Sequence, residues 1–391
     1  MKKMTAVVAL MAVFTLAICF NVIGAISEEL KKNLLIGNPD IGSMVFALFL
    51  TAMVVQLFIG PLVDKFGHKP LAIIGFIVTS ASMFLLAFAP TFILAMLASV
   101  FLGVGAMCLN TVGNTLIPVV LFEGKDPARA GNFGNGFFGL GLIVTPFLVS
   151  LGTKAGLTAS MAITILGVLV LIFLIFSLLS SYPQVSTGYK LSEAFKLLGE
   201  KTVIFAALAL FCYISLESTM NTWIKPYMTE MLGGAENATA VANAGLVLGF
   251  FGVAMMVGRF LASAVKNLTA IGTKVIAVAA VVSVITIVLM IVTKSPVIAI
   301  IAVVVTGLAF APIFPTVVGV TFAKFEPKLY GSIFGIIFAI GLLGGTFIPK
   351  FIGNLAEGKT VQQSLPIAAV MAGILIIIAI LMGITGKKSK E

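Results

Sequence analysis

Glu217 is the residue with the clearest chemical potential. Of the 14 Asp and Glu residues it alone falls deep inside an apolar stretch. A charge in lipid costs several kcal/mol, about 2.5 to 3.5 on insertion scales, unless it faces a cavity or a partner. Three roles fit a carboxylate there: accepting hydrogen bonds from solute hydroxyls, binding Na⁺ through hard oxygen, or carrying a proton. A structural hydrogen bond between helices would use the same group. Asn221 follows at i+4 and shares its helix face, as Asn110 and Asn114 share another. Amides offer donors and acceptors together, which suits a polyhydroxylated ligand, although buried amides also join helices. Trp223 is the only tryptophan; it can stack on a sugar ring or anchor a helix at the membrane interface. Asn21, Gln56, Asn135 and Thr316 are further polar candidates for the same cavity. Arg259, beside Gly258 near the end of a span, fits a snorkelling cation.

The elements that must position these residues are read from composition. The chain has 391 residues, 60% of them hydrophobic and 10% charged. A soluble domain carries roughly 25% charged residues, and single soluble cores stop growing near ~250–300 residues. Lipid is therefore the natural solvent. A helix needs about 20 apolar residues to cross. Spans are expected near 4–26, 41–63, 70–89, 92–120, 131–152, 158–181, 203–226, 240–264, 274–293, 296–322, 330–353 and 365–386. The runs are continuous rather than alternating, which argues against barrel strands. The first run follows Lys2 and Lys3 but lacks a cleavage signature, so it reads as an uncleaved helix. With the N-terminus in the cytoplasm, 17 of the 24 Lys and Arg lie on the cytoplasmic side and 7 outside. The positive-inside rule then places both termini in the cytoplasm. The net charge of +10 reflects that topology rather than nucleic-acid binding.

Residues 182–202 form the widest interval and read as an amphipathic surface helix through Leu191, Ala194, Leu197 and Leu198. This linker separates 1–181 from 203–391, two six-helix halves. Gly60, Gly103, Gly131 and Gly141 recur close to 200 residues later as Gly258, Gly307, Gly331 and Gly341. The expected fold is an all-α membrane protein: 12 transmembrane helices in two pseudo-symmetric six-helix bundles. Cys19, Cys108 and Cys212 sit in apolar runs, without disulfide or metal-ligand spacing.

Residues 60–69 read Gly-Pro-Leu-Val-Asp-Lys-Phe-Gly-His-Lys. This resembles the helix 2–3 loop signature of the major facilitator superfamily. The resemblance implies a conformational latch of Gly60, Asp64, Lys65, Gly67 and Lys69, with Arg259 bracing the same side. Asp64 can face the positive N-terminal end of the helix beginning at Gly331-Ser332. Four patches, 109–114, 213–223, 258–261 and 314–316, look like the fucose–galactose–gluconate symporters and related sodium-dependent glucose transporters. That resemblance implies alternating access and a sugar or similar solute held among Asn110, Asn114, Glu217 and Asn221, with coupling to Na⁺ or H⁺ or facilitative transport. The sequence departs from fucose-type proton symporters at the helix 4 acid, where Asn110 stands. It departs again late in helix 1, where the nearest acids are Glu28 and Glu29. Glu217 is left as the coupling candidate.

Two motif matches carry no function. Residues 353–360 fit a phosphate-loop pattern but end a lipid-spanning helix, with no strand before them. Residues 134–139 fit a dinucleotide pattern inside a helix, where small residues serve packing. His68, the single histidine, falls in a predicted cytoplasmic loop, and no nucleophile–base set accompanies it. The chain is thus expected to be no enzyme, to need no cofactor or metal, and to work as a monomer in a prokaryotic plasma membrane. Alternatives are efflux of apolar or cationic compounds on the same fold, suggested by 32 Phe and 17 Met, and a non-transporting receptor or scaffold.

Overall fold

The computed structural model describes residues 2–183, 196–234, 236–356 and 359–387. Among them there is no strand, and twelve helices are long and apolar enough to cross a membrane. In chain order the first half gives α1 (Lys2–Ala25), α2 (Ser27–Leu34), α3 (Asn38–Phe66), α4 (His68–Ala87), α5 (Phe92–Val120), α6 (Pro127–Lys154) and α7 (Ala159–Leu179). The second gives α8 (Lys201–Met231), α9 (Ala238–Ala264), α10 (Leu268–Val292), α11 (Pro296–Phe310), α12 (Ile313–Phe322), α13 (Tyr330–Ala356), α14 (Val361–Ser364) and α15 (Pro366–Lys387). The surface helix expected over 182–202 falls largely outside the described residues.

Helices dominate because lipid offers no partner to an open backbone, so each N–H and C=O must be satisfied within the segment. Their ends carry ordinary start and stop chemistry. Thr158 Oγ1 accepts from Met161 N at 3.2 Å, and Asn237 accepts from Thr239 N and Ala240 N. Gly67, at φ 82°, makes the tight turn from α3 into α4.

Two details go beyond the sequence expectation. The short polar helix α2 is too brief and too charged to register as a span. The span expected over 296–322 is present as Pro296–Phe322, with a kink that divides it into α11 and α12. Pro312 lacks an N–H and its ring crowds the preceding turn, and Pro315 removes a second donor. Ala311 N still reaches Gly307 O at 3.2 Å, and Thr316 N reaches Pro312 O at 3.1 Å, so few carbonyls are orphaned at the break.

The chain divides into two compact units. The first comprises Met1–Gly124, Phe137–Ala194 and Glu326–Gly335; the second comprises Lys125–Gly136, Phe195–Phe325 and Ile336–Glu391. Each unit thus takes in the opening turns of one helix from the other half of the sequence: α13 in the first, α6 in the second.

The repeated glycines mark equivalent packing. In the first unit a Cβ on Gly103 would lie 2.6 Å from Leu48 O, so α5 presses directly on α3. In the second unit a Cβ on Gly307 would lie 2.7 Å from Phe251 O, and α11 presses on α9 in the same way. At Gly319 an added Cβ would collide with the backbone of Ala128, which leaves no flexible neighbour to yield. Gly319→Val is therefore expected to displace the first turn of α6 and destabilise by about 1–3 kcal/mol, the usual cost of overpacking. Thermal unfolding of the purified variant checks this; an unchanged midpoint would show that α6 does not seat there.

Candidate functional site

In the second unit α8 carries Tyr213, Glu217 and Asn221 at successive i+4 positions. Arg259, near the end of α9, places Nη2 3.3 Å from Glu217 Oε1, making an ion pair inside the span. The two members differ in access: Arg259 is 3% exposed and Glu217 is 23% exposed. The guanidinium is the buried brace and the carboxylate is the accessible partner. Arg259 Nη1 also donates to Asn135 O at 3.3 Å, which ties the pair to α6. Asn135 spends its own amide on Gly131 O at 3.0 Å. Tyr213 is fully buried one turn from Glu217, with its hydroxyl beside the Glu217 carboxylate and the Arg259 guanidinium. Its ring packs against Phe310 and Phe314 with centroids 6.0 and 6.2 Å away. These rings are buried, so the group the arrangement presents is the braced carboxylate, which can accept hydrogen bonds from hydroxyls.

The other candidates of this unit have more local duties. Asn221 is exposed and bonds Glu217 O at 2.9 Å. Trp223 donates from Nε1 to Pro349 O at 3.1 Å, fastening α8 to α13. Thr316 is buried and accepts from Asn132 Nδ2 at 3.1 Å.

In the first unit Gln56 and Thr111 join α3 to α5, with Gln56 Nε2 donating to Thr111 Oγ1 at 3.1 Å. Both are fully buried, so Gln56 serves as a fastening between helices. Asn110 and Asn114 are also buried, and Asn114 Nδ2 donates to Asn110 Oδ1 at 2.8 Å. Asn21 donates to Leu142 O at 2.9 Å, linking α1 to α6. His68 opens α4 rather than lying in a loop, and its Nε2 stands 3.1 Å from Thr115 Oγ1.

The last turns of α3 meet the start of α13 within the first unit. Asp64 accepts from Gly331 N at 2.8 Å and Ser332 N at 2.6 Å. Gly60 lies so close to Gly331 that a Cβ on either would strike the other's carbonyl oxygen. Lys65 and Lys69 are exposed, and Lys65 Nζ sits 5.1 Å from the Phe66 ring.

A second carboxylate does comparable work in the second unit. Asp126 precedes Pro127 and caps α6, accepting from Arg129 N at 3.2 Å. It also accepts from Leu268 N at 2.9 Å, Thr269 N at 3.0 Å and Thr269 Oγ1 at 2.6 Å, at the opening of α10. Arg129 Nε adds a bond to Ser263 O at 2.8 Å. Asp-Pro in the sequence announces a helix start, but nothing there says that the carboxylate serves a second helix.

A family model described as the Major Facilitator Superfamily matches residues 8–349. The solved structure of FucP, a transporter of that superfamily in its outward conformation, superposes with a TM-score of 0.80 at 16% identity, covering 96% of this chain and 98% of that one. A variant of the E. coli fucose:proton symporter FucP gives 0.77 at 17% identity, covering 97% and 99%. The chromaffin granule amine transporter of Rattus norvegicus is 28% identical over 111 residues, which is 28% of this chain and 21% of the relative, about a fifth of its length.

Proposed function

The chain belongs to the Major Facilitator Superfamily, and from that premise we propose that it carries a neutral polyhydroxylated solute, most simply a sugar, in symport with protons. It is a multi-pass membrane transporter and not an enzyme. The halves 1–181 and 203–391, joined by 182–202, are the bodies that move, with both termini on the cytoplasmic side where the basic loops collect. The observation that carries the solute reading is the Glu217–Arg259 pair. A lone carboxylate would draw a cation. A braced one presents hydrogen-bond acceptors with its charge already balanced, which favours hydroxyls. Likeness of fold to a fucose:proton symporter supports protons as the coupling ion.

A second reading has support in the 111-residue match to an amine transporter. It requires Glu217 to leave Arg259 and take a cationic amine instead. Uptake into liposomes separates the two. Labelled neutral sugars and polyols are expected to accumulate under an inward proton gradient and not under a sodium gradient alone. Accumulation of organic amines in their place would overturn the sugar reading. Accumulation driven by sodium would move the coupling ion.

A further inference from the structure

We propose that a groove on the outer face of α10 and α11 binds one anionic phospholipid, its phosphate on Lys274 and an acyl chain along the groove. The groove has a volume of about 530 Å³. It lies wholly within the second unit. Its floor is small: Ala279 is 7% exposed and Ala309 is 8% exposed. Its walls are tall and open, with Val278 64% exposed and Leu308 39% exposed. Pro312, at the break between α11 and α12, closes one end. Small residues under large ones leave a trough of hydrocarbon character on a surface that faces lipid.

Apolar shape alone selects no particular lipid, since acyl chains are as apolar as the residues around them. The selective element is Lys274, the only polar side chain lining the groove among the described residues. It has no acidic partner among the described residues, and it is exposed. It is the seventh residue of α10, about 9 Å along the helix from Leu268. From that depth a lysine stem runs along apolar surface and its ammonium reaches back towards the phosphates. Lys266, exposed in the loop just before α10, adds positive field on the same side. One lysine near a membrane surface gives an anionic headgroup a preference of about fivefold over a zwitterionic one.

The test compares phosphatidylglycerol with phosphatidylcholine added to the purified, detergent-solubilised full chain, read as a shift in unfolding temperature. Phosphatidylglycerol is expected to raise the midpoint beyond phosphatidylcholine. Lys274→Gln should remove that increment while leaving the phosphatidylcholine midpoint and solute uptake unchanged, and Lys274→Arg should keep it. Val278→Trp, which fills the trough without touching the charge, should reduce the increment as well. The proposal is overturned if Lys274→Gln or Val278→Trp retains the full increment, if phosphatidylcholine stabilises equally, or if glycerol phosphate without acyl chains gives the same shift.

Discussion

Glu217→Gln is expected to lower gradient-driven uptake by about 10- to 100-fold while leaving the protein folded. The substitution keeps an acceptor oxygen for Arg259 but turns a charge-assisted hydrogen bond into a neutral one. A hydrogen bond to a charged group contributes about 1.5–3 kcal/mol, and each 1.4 kcal/mol is tenfold. It also removes the group able to take up and release a proton. Glu217→Ala should be worse in stability than Arg259→Ala, because the orphan it leaves is the member that is only 3% exposed. Breaking a buried pair from one side costs about 3–5 kcal/mol, chiefly through the charge left behind. Glu217 is 23% exposed and keeps some hydration when its partner goes. The charge-balanced double variant, Glu217→Gln with Arg259→Gln, should therefore recover stability without recovering uptake against a gradient. Thermal unfolding and liposome uptake on the four proteins separate these effects. Wild-type accumulation by Glu217→Gln would remove Glu217 from both coupling and solute binding.

That pair also shows how far the sequence can be read. An isolated carboxylate in a span is visible from hydropathy alone, because its cost demands an explanation. Its partner is not visible, because Arg259 is followed by the end of its helix and the topology accounts for a cation there. The number and type of spans were legible for a similar reason: lipid imposes one length and one backbone solution. The break between α11 and α12 was carried by Pro312 and Pro315, yet the hydropathy runs through it without interruption. Polar residues were the least legible. Gln56, Asn110 and Asn135 look alike in an apolar run. Only the folded chain shows Gln56 spent on Thr111, Asn110 on Asn114, and Asn135 lending its carbonyl to Arg259.

Removing Asp64 or Asp126 is expected to loosen one latch each, and removing both should combine the effects. Each carboxylate accepts two backbone N–H groups at the first turn of a helix from the other half of the sequence. Those N–H groups have no partner inside their own helix, and the helix dipole adds to the attraction. Charge-assisted bonds of about 1.5–3 kcal/mol imply that Asp64→Ala or Asp126→Ala shifts the latched-to-unlatched ratio by roughly 10- to 100-fold. The aspartates lie in different units, so their effects should multiply. Asn at either position keeps one acceptor and should fall between wild type and Ala. The readout is alkylation of a buried cysteine at the relevant helix start, with Cys19, Cys108 and Cys212 replaced by Ser. Ile333→Cys reports on α13 and Ala130→Cys on α6, both positions being fully buried. Faster labelling at Ile333→Cys in Asp64→Ala, and at Ala130→Cys in Asp126→Ala, is the expected pattern. If Asp126→Ala leaves labelling at Ala130→Cys unchanged while Asp64→Ala accelerates labelling at Ile333→Cys, then Asp126 is an ordinary helix cap and the end of α3 holds the latch. If both reporters stay protected in both variants, neither aspartate gates access. The close glycine contacts at Gly60 and Gly319 would then be the features that set how readily the helix starts part.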